Sequence, residues 1–149
     1  MTLKQKIYNH YFSVVNEKII NLEQVLAGLK ESGSNETKST AGDKHETALA
    51  MLQIEQANTR SQLEQVLLQK SALLKIDPTV VSTNICMGSV IKTNKGYFYF
   101  SAALGKALVE GINILAISPL SPLGVKLKSQ LTGNEVILNN NNYIIESIQ

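Results

Sequence analysis

From Tyr8 to Leu29, apolar side chains return at alternating steps of four and three: Tyr8, Phe12, Val15, Ile19, Leu22, Leu26 and Leu29. An α-helix turns once in about 3.6 residues, so this spacing draws one narrow stripe along a single face, the seam of a coiled coil. No proline occurs among residues 1–75 to break the stripe. The spacing predicts a helix over about residues 3–31, about 40 Å long at 1.5 Å per residue.

A second helical segment is predicted over about residues 45–75. Leu49, Leu52, Leu63, Val66 and Leu73 keep the same steps, while Gln56, Thr59 and Lys70 occupy seam positions as well. Polar residues in a seam are tolerated at a cost in stability. The connecting stretch ESGSNETKSTAGD carries the Ser, Gly, Asn and Thr that favour turns. Two helices of similar length joined by a short polar link fold back as an antiparallel hairpin. Such a hairpin has a thin core, so its far end is expected to project into solvent.

The texture changes near residue 77. All three prolines, Pro78, Pro119 and Pro122, lie beyond it, among β-branched runs and asparagine-rich turns. The pair Asp77-Pro78 marks the boundary, because proline pushes the preceding residue out of the helical region. Two parts are expected, residues 1–76 and 77–149. In the second, MGSVI and GYFYFSAA flank KTNKG and read as a hairpin. NILAIS is a buried-strand candidate. Ser121-Pro122 reads as an N-cap followed by proline in the first turn of a short helix running to about Gln130. EVILN and YIIESI, linked by a run of asparagines, form a second hairpin. The fold class expected is α+β, a helical hairpin followed by a small antiparallel sheet with one short helix. Tyr97, Phe98, Tyr99 and Phe100 alternate faces, so two should be buried and two exposed, and core packing is preferred to an exposed stacking platform.

The chain is 44% hydrophobic and 17% charged, a globular composition. Its 14 basic and 12 acidic residues are too balanced to argue for a nucleic-acid-coating surface. The single cysteine, Cys86, cannot form an internal disulfide and reads as a buried or partly buried small hydrophobe in a reducing compartment. No run approaches the roughly 20 apolar residues of a membrane helix. A cytoplasmic protein without membrane attachment is therefore expected.

The stretch STAGDKHETALAM, residues 39–51, puts Asp43 and Glu46 where the second helix begins. One explanation is capping, with Asp43 as N-cap, Glu46 reaching back, and both charges meeting the positive end of the helix dipole. The other is metal binding. Two nearby carboxylates repel each other, a divalent cation relieves that repulsion, and Mg²⁺ is commonly held by only one or two protein carboxylates. Each carboxylate has several lone-pair sites, so the two roles are compatible.

Gly42-Asp43-Lys44-His45-Glu46-Thr47-Ala48 resembles the tip motif Gly-Asp-Leu-Ser-Glu-Asn-Ala of the Gre-type bacterial transcript cleavage factors, matching at Gly42, Asp43, Glu46 and Ala48. ILAISPLSPLGVKLKSQLTGNEV is similar to the same family's C-terminal signature. The resemblance covers roughly residues 3–149. Lys44-His45 stands where the family has Leu-Ser, and Ala50 where an aromatic is usual.

The resemblance implies an antiparallel coiled coil followed by an FKBP-like domain. It implies a factor that inserts its coiled coil into the secondary channel of a backtracked RNA polymerase. There Asp43 and Glu46 would help hold a second Mg²⁺, shared with the polymerase, so that the nascent RNA 3′ end is cut. The catalytic and metal residues would be Asp43 and Glu46, acting on a nuclease that belongs to the partner. Lys38, Lys44 and Arg60, with Lys30, would line the RNA path or form a solvated helical surface. His45 reads as a solvated tip residue. Pro119, Ser121, Pro122 and Leu123 would shape a loop and helix that dock on the polymerase, or serve only as turn and capping chemistry. Three alternatives stand beside this function: a channel-binding homologue that modulates polymerase without cleavage, a prolyl-isomerase-like binding domain, and a plain coiled-coil adaptor.

Overall fold

A computed structural model describes the backbone of residues 1–38 and 43–149, with side chains described for residues 1–34 and 46–149. Two long helices come first, α1 (Leu3–Lys38) and α2 (Asp43–Leu74). Then follow β1 (Val90–Thr93), β2 (Gly96–Phe100), β3 (Gly105–Val109), β4 (Ile112–Ile117), the short helix α3 (Pro122–Leu127), β5 (Glu135–Leu138) and β6 (Asn141–Ile148). The architecture is α+β. Among the described residues, no helix is long and apolar enough to cross a membrane.

Two compact units emerge. One is Val14–Leu68; the other combines Met1–Ser13 with Gln69–Gln149. The first turns of α1 and the last turns of α2 thus belong with the sheet. The texture boundary at Asp77-Pro78 lies just past the end of α2, where Asp77 Oδ1 accepts from Thr79 N–H (2.9 Å) and Thr79 Oγ1 (2.6 Å).

In the Val14–Leu68 unit the anticipated seam is present. Val15, Ile19, Thr59 and Val66 are buried, with Leu22, Leu26, Leu29, Leu52 and Leu63 half-buried. The polar seam residues are satisfied locally. Thr59 Oγ1 donates to the Glu55 carbonyl (2.8 Å), and Gln56 Nε2 donates across to the Leu29 carbonyl (3.2 Å). α2 agrees with its expected extent, but α1 is longer than its apolar spacing indicates. Glu31–Lys38, expected to begin the link, is helical, because the backbone bonds of a helix continue where the pattern of apolar residues has ended. Residues 39–42 of that link lie outside the described residues.

The sheet has six strands in the order β3-β4-β2-β1-β6-β5. Both expected hairpins form, β1–β2 closing at Thr93↔Gly96 and β5–β6 at Leu138↔Asn141. Asn139 and Asn140 both adopt positive φ in the second turn, a conformation asparagine tolerates better than most residues. Two features were not expected. β3 is an additional edge strand, paired with β4 through the tight turn Glu110-Gly111, both at positive φ. Glutamate is an uncommon occupant of that turn position, so the hairpin carried little sequence signal. In addition, β2 and β4 pair in parallel, making the sheet mixed where antiparallel pairing was expected. The detour through β3 lets the chain re-enter the sheet beside β2 in the same direction.

Both faces of the sheet centre are covered. On one, Ile85, Ile91, Phe98, Phe100, Ile117, Leu127, Val136 and Ile145 form the buried core. On the other, Tyr11 of α1 stacks on Tyr99, with ring centroids 5.7 Å apart and planes 9° from parallel. The Tyr11 hydroxyl lies 2.9 Å from the Gly105 carbonyl and 3.2 Å from that of Ile114. This corrects the alternation expected of Tyr97–Phe100: Phe98, Tyr99 and Phe100 are all buried and only Tyr97 is half-buried. The helix base covers the face that would otherwise be solvated. Tyr11 makes that contact, with Ile7 fully buried one turn before it, on a stripe displaced by one residue from the Tyr8–Phe12 seam. Buried Lys4 donates its ammonium to the Val80 carbonyl and so ties the segment after α2 to the same helix. Farther along that segment Cys86, expected to be at least partly buried, is exposed.

The two buried tyrosines should respond oppositely to loss of their hydroxyls. Tyr11→Phe removes a bond to backbone carbonyls and should cost about 1 kcal/mol. The Tyr99 hydroxyl has no hydrogen-bond partner among the described residues, so Tyr99→Phe should be neutral or stabilising in urea denaturation. Burial raises the Tyr11 hydroxyl from 10.0 to about 12. The folded state therefore holds its proton where the unfolded chain loses it, and stability should be intact below pH 10 and decline between pH 10 and 12. Tyr11→Phe should lessen that decline.

Candidate functional site

Two elements carry the residues singled out by sequence. The first is the start of α2. Position 43 is its first residue and position 46 lies in the same turn, so the two share a helix face. Glu46 is exposed to solvent. It lies 22 residues before Leu68, roughly 33 Å of helix at 1.5 Å per residue, at the connected end of the two helices. The side chains of Lys38, Asp43, Lys44 and His45 lie outside the described residues, as does the capping geometry expected of Asp43. Lys30 and Arg60 are exposed. Arg60 is 14 residues beyond Glu46, roughly 21 Å along α2, so α2 itself does not bring it to the acidic turn.

The second element is the loop from Ser118 into α3. Ser121 caps α3: its Oγ accepts from Gly124 N–H (3.0 Å) and donates to the Ser118 carbonyl (2.7 Å). Ser118 Oγ accepts from Leu120 N–H (3.1 Å). Pro122 occupies the first helical turn, where the missing N–H is not needed. Leu123 packs against the core. A Cβ on Gly124 would lie 2.0 Å from the Ser118 carbonyl oxygen, so only glycine allows the helix to pass this close to the loop.

These contacts sort the predicted docking residues. Ser121 does capping work and Leu123 does core work, while Pro119 is half-buried and Pro122 exposed. The residue presented outward is Leu120, 89% exposed, which sequence reasoning passed over. Its signal was faint, a leucine between two Ser-Pro-type turns with no periodicity to assign it to a face.

No family model and no curated protein matches this chain. Among solved structures it is similar to that of the transcription factor Gfh1, with 14% sequence identity, a TM-score of 0.39 and 92% of each chain covered.

The loop is held by packing that substitution should expose. Gly124→Ala should destabilise the sheet unit by about 1–3 kcal/mol through overpacking, and Ser121→Ala by about 1 kcal/mol through the lost cap. Leu120→Ala should leave stability unchanged. Thermal melts of the three variants check this ranking.

Proposed function

We propose that this chain is a transcription elongation factor that inserts its helical hairpin into the secondary channel of RNA polymerase and stimulates Mg²⁺-dependent cleavage of backtracked RNA. One observation carries this function: the two acids within the Gre-like stretch fall in the first turn of α2, at the connected end of the hairpin. A long, thin two-helix unit with carboxylates at that end suits delivery of charge into a narrow channel.

Asp43 and Glu46 would hold the Mg²⁺ jointly with the polymerase. Two carboxylates on one helix face suit this cation, which leaves its remaining positions to water and phosphate oxygens. When bound, the ion supplies activation of water and stabilisation of the leaving oxygen. Lys44, next to the pair, would meet an RNA phosphate, and Lys38 and Arg60 would follow the strand away from it. The nuclease belongs to the polymerase; this protein is its activator and works in the cytoplasm. Leu120, held outward by a hydrogen-bonded loop, would anchor the sheet unit to the polymerase, with Pro119 and Pro122 beside it.

A backtracked elongation complex with Mg²⁺ tests this function. Added protein should shorten the RNA, and joint replacement of Asp43 and Glu46 by alanine should abolish shortening while preserving binding. RNA of unchanged length with slowed synthesis would instead identify a channel-binding modulator, in keeping with Lys44-His45 where the family has Leu-Ser. Leu120→Asp should weaken polymerase binding on the order of tenfold, measured by co-sedimentation.

A further inference from the structure

At the opposite end of β4 from the docking loop, the sheet face opens toward its β3 edge, where Leu115 is half-buried and Lys106, Leu108 and Asn113 are exposed. α3 begins soon after β4 ends and contains six residues, about 9 Å of helix. The six residues of β4 span about 20 Å. A helix that short, anchored in the core through Leu127, cannot extend along the full length of β4.

The open part is a groove of about 670 Å³. Phe98 and Leu115, register partners in β2 and β4, form its apolar floor. Tyr143 of β6 stands edge-on to Phe98, with centroids 5.9 Å apart and planes at 70°. Lys106 lies opposite Leu115 on β3, and Leu108 opposite Asn113. Because side chains alternate along a strand, these four share one face. Leu108, 64% exposed, extends the apolar floor outward. The Lys95-Gly96 turn and Asn141 close the remaining sides.

Charge distinguishes the groove from an ordinary apolar depression. Its only charged lining residues are Lys95 and Lys106, and no carboxylate lines it. Elsewhere on the same unit, Lys6 pairs with Glu110 (3.3 Å) and Lys92 with Glu146 (3.9 Å). Lys95 and Lys106 have no carboxylate partner among the described residues. Asn113 and Asn141 add amides that both donate and accept, as an extended peptide backbone requires.

We propose that this groove binds a short acidic peptide segment, seating one apolar side chain over Leu115 and Tyr143 with carboxylates against Lys95 and Lys106. Nucleic acid suits it less well. Residues 77–149 carry Lys92, Lys95, Lys106, Lys126 and Lys128 against Asp77, Glu110, Glu135 and Glu146, which is too nearly balanced for an electrostatic track. Phe98 is only 7% exposed, so its ring offers no open platform for a base. The groove is independent of the polymerase function, and its test needs no polymerase.

The isotopically labelled full chain is titrated with a blocked pentapeptide, a leucine flanked by two glutamates on each side, and followed by amide chemical shifts. Shifts should be confined to Lys95–Phe98, Asn113–Leu115 and Tyr143, saturating with a Kd on the order of 1 mM at low salt and weakening as salt rises. Lys95 and Lys106 are exposed, so their joint replacement by glutamate should preserve the fold and reduce affinity at least tenfold. Lys126→Glu, on α3, should leave binding unchanged. Equal binding by the lysine double variant, or equal binding of a peptide with lysines in place of its glutamates, overturns the proposal. So does the absence of confined shifts, or their appearance with an oligothymidylate and not with the peptide.

Discussion

The sheet unit depends on the stacking of Tyr11 against Tyr99. β2 is one of the two central strands of the sheet, paired with β1 on one side and β4 on the other, and its aromatic residues point to both faces. One face closes over the core around Phe98 and Phe100. The other would leave Tyr99 and Ile114 in water were the first turns of α1 not laid across it. The helix base is therefore part of the sheet's own core, and Met1–Ser13 belong to the same compact unit as β1–β6. The Tyr11 hydroxyl fixes the helix rotation by reaching the carbonyls of both β3 and β4, where an apolar side chain would supply area without direction.

The opposite face is governed by the shortness of α3. Ser121 starts it and Gly124 lets it approach the Ser118 carbonyl, so the helix is pinned tightly to the end of β4. This one arrangement has two consequences at opposite ends of the strand. Near its C-terminal end it holds a rigid loop with Leu120 outward. Near its N-terminal end it leaves Phe98 and Leu115 beneath an open groove rimmed by lysines. The hairpin unit follows a different logic: its seam is thin, its polar members are satisfied by nearby carbonyls, and its acids sit where the two helices connect.

Periodicity made much of this legible. The four-three spacing gave both helices, the asparagine-rich turns gave two hairpins, and Ser121-Pro122 gave α3 with its cap. These signals are local, and each depends on residues within one or two turns of one another. The turn Glu110-Gly111 escaped because its chemistry is atypical, and with it went β3 and the parallel pairing of β2 and β4. Leu120 escaped because a lone leucine in a loop has no period. The lysines and aromatics of the groove escaped because Lys95, Lys106 and Tyr143 come from one turn and two separate strands.

The sequence by itself determined that two long helices and one short one form, where the chain changes from helix to strand, and that Asp43 and Glu46 lie at the start of the second helix. All of these follow from backbone preferences and side-chain spacing within a few residues. Only the tertiary structure decided that Tyr99 is buried, that α1 completes the sheet's core, that Leu120 faces outward and that a lysine-rimmed groove lies beyond the reach of α3. Those outcomes depend on which surfaces meet, and burial is a property of the pair of surfaces and not of either sequence segment alone.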